Sequence, residues 1–311
     1  MHPDTMRLID RWVGIPLCFF ASLWPWKKTQ AGSTSPLSTN IPPPDTIVFI
    51  GIAEIGALVV AYPAIQEARI KHPNSRVCFI TAPSGFQTLE FMGFEEENIY
   101  LLETSSVQSL LKGLLKMRTH FKGERVSAVV IEPFTRFSTL LSAWIGASQR
   151  IGCYRFLNEG VYLGNFLTHR LVYNSHLHAS QTYFALAKAL IEPVSTKPLL
   201  KESIPSQIQN RLRINIPEKE QQTLRKRLQA ECPENPLKKI VLLNANASDI
   251  VPLRKWPLEN FVELGKQLLE NSESTVVLTG PPPPEGKLGS SRYLLVAGSS
   301  INRRVLSRLR S

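Results

Sequence analysis

Apolar positions along this chain fall into short runs that alternate with segments of helical period. Residues 47–52, 77–81, 99–103 and 126–131 are rich in Val, Ile, Leu and Phe without regular polar alternation. Strands buried on both faces read this way. Between them, residues 56–71 carry Leu58, Val59, Tyr62, Ile65 and Ala68 at helical spacing. A second helical stretch ends near Gly93, and residues 107–121 are amphipathic. A helix over 137–147, a short strand near Ile151 and a helix over 181–190 extend the series. Strands alternating with helices at this spacing predict a parallel sheet covered on both faces. The pattern then restarts with a β-branched run at 240–243, a helix opened by Trp256-Pro257 that buries Phe261, Leu264 and Leu268, and a strand at 275–279. Proline suits the first helical turn, where its missing N–H has no intrahelical partner to lose. The chain therefore reads as α/β with two doubly wound halves, residues 46–205 and 206–311.

Ahead of the first strand the pattern changes. Residues 12–26 form fifteen consecutive positions without a charge, short of the roughly 20 a transmembrane helix needs. Trp12, Trp24 and Trp26 stand near the ends, and Arg7, Arg11, Lys27 and Lys28 flank the run. Indoles and cations at the rims suit the headgroup zone of a bilayer. The flank after Trp24 offers no small-residue cleavage site of the kind a signal peptide carries. Residues 1–28 are therefore expected to lie in or dip into a membrane surface, with a short span as the second reading. The Ser-, Thr- and Pro-rich stretch 29–45 reads as a linker.

Charge refines the picture. The 311 residues carry a net +11, and the acid-free tail 286–311 supplies +6 of it, leaving +5 for the rest. No aromatic-interleaved basic stripe accompanies the charge, so nucleic acid is not an expected partner. An anionic membrane surface accounts for it. Cys18, Cys78, Cys153 and Cys232 stand far apart, which fits neither a zinc site nor a disulfide framework and suits a reducing compartment.

Candidate chemistry concentrates after the strand at 240–243. Asn244, Asn246, Ser248 and Asp249 follow where that strand ends, and Arg254-Lys255 immediately precede the Trp256-Pro257 helix. Cations beside a helix N-terminus favour a diphosphate, because backbone donors and the helix dipole add to their charge. At Asn244, Ala247-Ser248, Arg254-Lys255-Trp256-Pro257 and Asn260-Phe261 the chain resembles family 9 glycosyltransferases, the heptosyltransferase family of lipopolysaccharide core assembly. The resemblance runs in family order from about Ile47 to about Gly298. It implies a GT-B-like architecture of two Rossmann-like domains. The implied activity is sugar transfer from an ADP-heptose-like nucleotide donor to a lipid-linked sugar acceptor, at the cytoplasmic face of the bacterial inner membrane. By the same resemblance Asn246, Ser248, Arg254 and Lys255 are the donor-binding residues. Arg150, Arg155, His169 and Arg170 match acceptor-side segments and could engage an anionic acceptor. His176 and His178 lack a third ligand nearby and read better as the polar start of a helix than as a metal pair.

Two departures matter. The turn after the first strand, residues 51–56, is neither a P-loop nor G-x-G-x-x-G. In the family it supplies an Asp proposed as catalytic base, and here Ala57 stands in that position. Glu54 is the one carboxylate on the turn, which makes it the candidate base. The family's D-S/T-G-x-x-H loop is also absent, and the second domain is expected to be incomplete. The four aspartates Asp4, Asp10, Asp45 and Asp249 form no D-x-D, so transfer without metal or cofactor is the expected mechanism. The alternatives are a truncated, non-catalytic remnant or binding module of the same family, or an unrelated nucleotide-dependent α/β enzyme. The missing glycine-rich dinucleotide turn disfavours the last.

Overall fold

A computed structural model describes residues 10–24, 43–52, 54–133, 135–153, 161–191, 212, 216–231, 239–244, 256–270, 274–279 and 294–297. The chain divides into two compact units, Met1–Ile214 and Asn215–Ser311.

The first unit is built on six parallel strands: β1 (Thr46–Ile50), β2 (Arg76–Thr81), β3 (Ile99–Leu101), β4 (Val126–Val130), β5 (Gln149–Cys153) and β6 (His169–Leu171). Their order across the sheet is β3-β2-β1-β4-β5-β6. This is the doubly wound order, and its switch point lies between β1 and β4. Every residue of β1, β4 and β5 is buried, as the uninterrupted apolar runs require. Side chains alternate between two cores. Ile47, Phe49, Val77, Phe79, Val129 and Ile131 face α2 (Ile55–Val60), α3 (Tyr62–Lys71), α4 (Phe86–Phe91) and α7 (Ala179–Lys188). Val48, Ile50, Cys78, Ile80, Ala128 and Val130 face α5 (Val107–His120) and α6 (Arg136–Trp144).

Three details differ from the sequence pattern. The helix expected over 56–71 is two helices that meet at Ala61. Pro63 cannot donate to the Val59 carbonyl, and its ring crowds that position, so the run breaks there. The strand β6 has three residues and little apolar content, too weak a signal for periodicity to show. The α7 helix starts at Ala179, with His178 as its cap. His178 Nδ1 accepts the Ser180 N–H, while Gln181 Oε1 accepts the His178 N–H at 3.0 Å. His178 is thus the polar start of a helix.

The N-terminal segment is a docked helix. A π-turn, Asp10–Gly14, runs into α1 (Ile15–Leu23). Cys18, with Ala21, packs against Leu140, Ala143, Tyr162 and Phe166. Arg136 on α6 is paired with Asp10 and donates through Nε to the Tyr162 carbonyl at 2.9 Å. Among the described residues no helix is long and apolar enough to cross a membrane.

In the second unit, α8 (Glu218–Glu231) precedes β7 (Lys239–Asn244), α9 (Leu258–Glu270), β8 (Ser274–Thr279) and β9 (Leu294–Ala297). Val241, Leu243, Leu264, Leu268, Leu269 and Val276 form its core. The β7–β8 pair is parallel, and β9 returns antiparallel to β8.

Candidate functional site

Open doubly wound sheets bind ligands outside the carboxyl ends of their strands at the switch point. Here that point is the β1–α2 turn beside the β4–α6 turn. The two turns approach closely: Ile131 N–H donates to the Ile50 carbonyl at 3.1 Å, and a Cβ at Gly51 would lie 2.8 Å from Ile131 Cδ1. Glycine is needed at 51 for that approach. The Ile52 N–H then donates to Glu132 Oε1 at 2.8 Å, and the Ser138 hydroxyl donates to Glu132 Oε2. Glu132 is 6% exposed. It lies directly after a buried strand, and its two oxygens tie the β4–α6 turn to the β1–α2 turn.

Glu54 sits on that second turn, at the N-cap of α2. Its side chain is exposed and makes no capping bond, so a helix-capping role does not explain it. Ala57, at the family's base position, is buried in the core on α2. No carboxylate is supplied there.

The environment of Tyr183 shows what else gathers at this edge. Its phenol is pushed up to about 12, first by burial and then by the negative charges of Glu54 and Glu132, with Cys153 and Tyr173 contributing. These groups come from the ends of β1, β4, β5 and β6 and from α7. Glu54, Glu132 and Tyr173 therefore lie within electrostatic reach of the Tyr183 phenol. Of these, Glu54 is the one the sequence singled out. Applying the strand-end rule to β4 as well as β1 finds Glu132, since the apolar run ends at Ile131 and the next residue is a carboxylate. Tyr173 and Tyr183 carry no comparable signal. The opposite edge of the sheet is structural: Asp45 pairs with Arg125, and Glu124 accepts from Arg76 at 3.0 Å and from the Thr46 hydroxyl.

The acceptor-side candidates separate. Arg150 is 3% exposed, and its guanidinium donates to the Phe166 carbonyl at 2.8 Å and the Ala147 carbonyl at 2.6 Å. It lies opposite Ala128, four residues before Glu132 on β4, or about 13 Å along the strand. Burial lowers its pKa to about 10, still well above neutral pH. His169 is fully buried, with Nδ1 hydrogen-bonded to the Thr168 hydroxyl at 2.9 Å. Arg170 is partly exposed and bonds Asn165. Arg155 lies outside the described residues, as do the donor-side Asn246, Ser248, Arg254 and Lys255. The helix those cations precede is in place. Pro257 is its turning residue, its carbonyl accepting from Asn260 and Phe261, and Trp256 meets Phe261 edge to face at 4.8 Å.

Among the described residues no group of three His, Cys, Asp or Glu side chains could hold a metal. No family model matches the sequence, and a search of curated proteins finds no match. Solved structures do match. The glycosyl transferase family 9 protein from Veillonella parvula DSM 2008 is 17% identical with a TM-score of 0.55, over 76% of this chain and 63% of that one. The fold of this chain is similar to that of this family 9 protein. E. coli heptosyltransferase WaaC matches as well, at 14% identity and a TM-score of 0.51 over 76% of this chain. The share of WaaC covered is 70% with ADP-2-deoxy-2-fluoro heptose and 68% with ADP. The family 9 expectation drawn from the motifs therefore holds for the fold, α/β and GT-B-like. This chain spans 63% of the length of the Veillonella protein.

Proposed function

We propose that this family 9 fold transfers a sugar, heptose-like, from a nucleoside diphosphate donor to a lipid-linked sugar acceptor. The observation that carries the reading is Glu54: an exposed carboxylate, uninvolved in capping, at the switch point of the sheet, in a fold similar to that of a heptosyltransferase. In the proposed step the acceptor hydroxyl oxygen bonds to the anomeric carbon as the bond from that carbon to the diphosphate oxygen breaks. Glu54 takes the hydroxyl proton. Glu132 holds the turn and is a positioning residue. Arg254 and Lys255, which precede α9 in the sequence, are the proposed partners of the charge that develops on the departing diphosphate, with Asn246 and Ser248 as further donor-binding residues. Arg155 and Arg170 are the acceptor-side cations. Fixed cations do the work a divalent metal does in D-x-D enzymes, so the proposed transfer is metal-independent.

Calorimetry with ADP tests the donor side. The wild-type chain should bind it, and Arg254→Ala/Lys255→Ala should weaken binding by about tenfold or more. Equal binding by the double variant contradicts the donor assignment. An assay with ADP-heptose on a lipid A–core acceptor should then show transfer.

A further inference from the structure

The helix α1 is built inside out for a helix on a water-facing surface. Its protein-facing positions are small: Gly14 and Cys18 are buried, and Ala21 and Ser22 are half-buried. A Cβ at Gly14 would lie 3.0 Å from Arg136 Cδ. Its outward positions are large and apolar, with Trp12 70%, Phe20 65%, Leu23 67% and Trp24 66% exposed, and with Leu17 and Phe19 beside them. A surface helix normally shows the reverse, polar out and large apolar in.

The same layer continues. Trp144 on α6 donates through Nε1 to the Leu114 carbonyl at 2.8 Å, and Arg118 of α5 reaches the Trp144 carbonyl at 2.6 Å. Thus α1, α6 and α5 are linked in a row on one side of the sheet. Along α5, Val107, Leu111 and Leu115 form an exposed apolar stripe at four-residue spacing.

Charge decides what covers this face. Residues 10–23, α5 and α6 hold five cations, Arg11, Lys112, Lys116, Arg118 and Arg136, and one carboxylate, Asp10, which is paired with Arg136. The four helices on the other side of the sheet are nearly balanced, with Glu67 and Glu90 against Arg69, Lys71 and Lys188. A second copy docking face to face sets the four exposed cations Arg11, Lys112, Lys116 and Arg118 against their own equivalents. An anionic lipid surface attracts them, and exposed tryptophans at both ends of α1 suit the headgroup zone. Residues 10–23 extend about 21 Å, less than the roughly 30 Å hydrocarbon thickness, so the helix lies in the interface plane.

We propose that the outer surface of α1, α6 and α5 is a single docking face for an anionic bilayer surface, with α1 held rigidly on the domain rather than acting as a free tail. The face is independent of sugar transfer, and vesicle binding does not require turnover. The test is sedimentation of the full chain with phosphatidylethanolamine–phosphatidylglycerol vesicles and with neutral phosphatidylcholine vesicles. The wild type should sediment with the anionic vesicles. Leu17→Glu/Phe20→Glu and Leu111→Glu/Leu115→Glu should each lower partitioning by about tenfold or more, while Ile70→Glu on the opposite side leaves it unchanged. All these positions are exposed, so circular dichroism should report an unchanged fold. A second readout needs no charged variant. In single-tryptophan proteins bound to vesicles with brominated acyl chains, Trp12, Trp24 and Trp144 should be quenched. Binding by the α5 variant at the wild-type level overturns the three-helix face. A wild-type chain that ignores anionic vesicles overturns it entirely, as does a lipid-free dimer that Leu17→Glu/Phe20→Glu dissociates.

Discussion

At the residue scale, the position of a cation decides its task. Arg150 and Arg170 looked alike in the sequence, both close to segments that match the acceptor side of the family. In the fold Arg150 is enclosed, and its guanidinium binds the carbonyls that flank β5 and precede β6. Removing it strips two charge-assisted bonds from buried carbonyls, so Arg150→Ala should destabilise the protein by about 2–4 kcal/mol. Urea denaturation measures this. A purely acceptor-binding Arg150 predicts unchanged stability and a raised acceptor KM instead. Glu132 illustrates what sequence reading passes over. A single carboxylate after an apolar run carries no motif, and its meaning comes from the partner turn it bonds, 80 residues earlier in the chain. Glu54 was legible because it stood on a turn already marked by family order.

Elements were legible where their signal was local. The long apolar runs of β1, β2 and β4 and the helical period of α5 need no tertiary information, and the structure has them within a residue or two. The break at Ala61 has a local cause in Pro63, yet the helical spacing of residues 56–71 reads as one helix. The short β6 strand and the return of β9 depend on neighbours, and periodicity is silent about both. The N-terminal helix lies between these cases. Its apolar content was plain, but its docking onto α6 rests on contacts remote in sequence. One of them is Gly164, which has φ +78°, and whose added Cβ would meet the Cys18 carbonyl at 2.7 Å and Ser22 Oγ at 2.8 Å. Gly164→Val should therefore lift α1 from the domain. The Cys18 thiol reports this directly, because burial pushes its pKa up to about 12 and keeps it unreactive. Peptide mapping after thiol labelling at pH 8 should find Cys18 protected in the wild type and labelled in Gly164→Val. Equal protection in both contradicts the docking contact.

At the scale of the molecule, one sheet edge collects the chemistry. The order β3-β2-β1-β4-β5-β6 puts the β1 and β4 turns side by side, and Tyr183 feels the charges of Glu54 and Glu132 from segments up to 129 residues away. The opposite edge is closed by ion pairs, and one flank is closed by α1. The alternation of strands and helices made this class of fold readable, whereas the identity of the site depended on which turns the strand order made neighbours. The central claim is that Glu54 is the proton acceptor for sugar transfer. The most direct test is the turnover rate of Glu54→Gln with ADP-heptose and a lipid A–core acceptor, with donor affinity measured on the same preparation. The account predicts a rate lower by about 10²–10⁴-fold with donor binding unchanged. A Glu54→Gln protein that transfers sugar at the wild-type rate would contradict it.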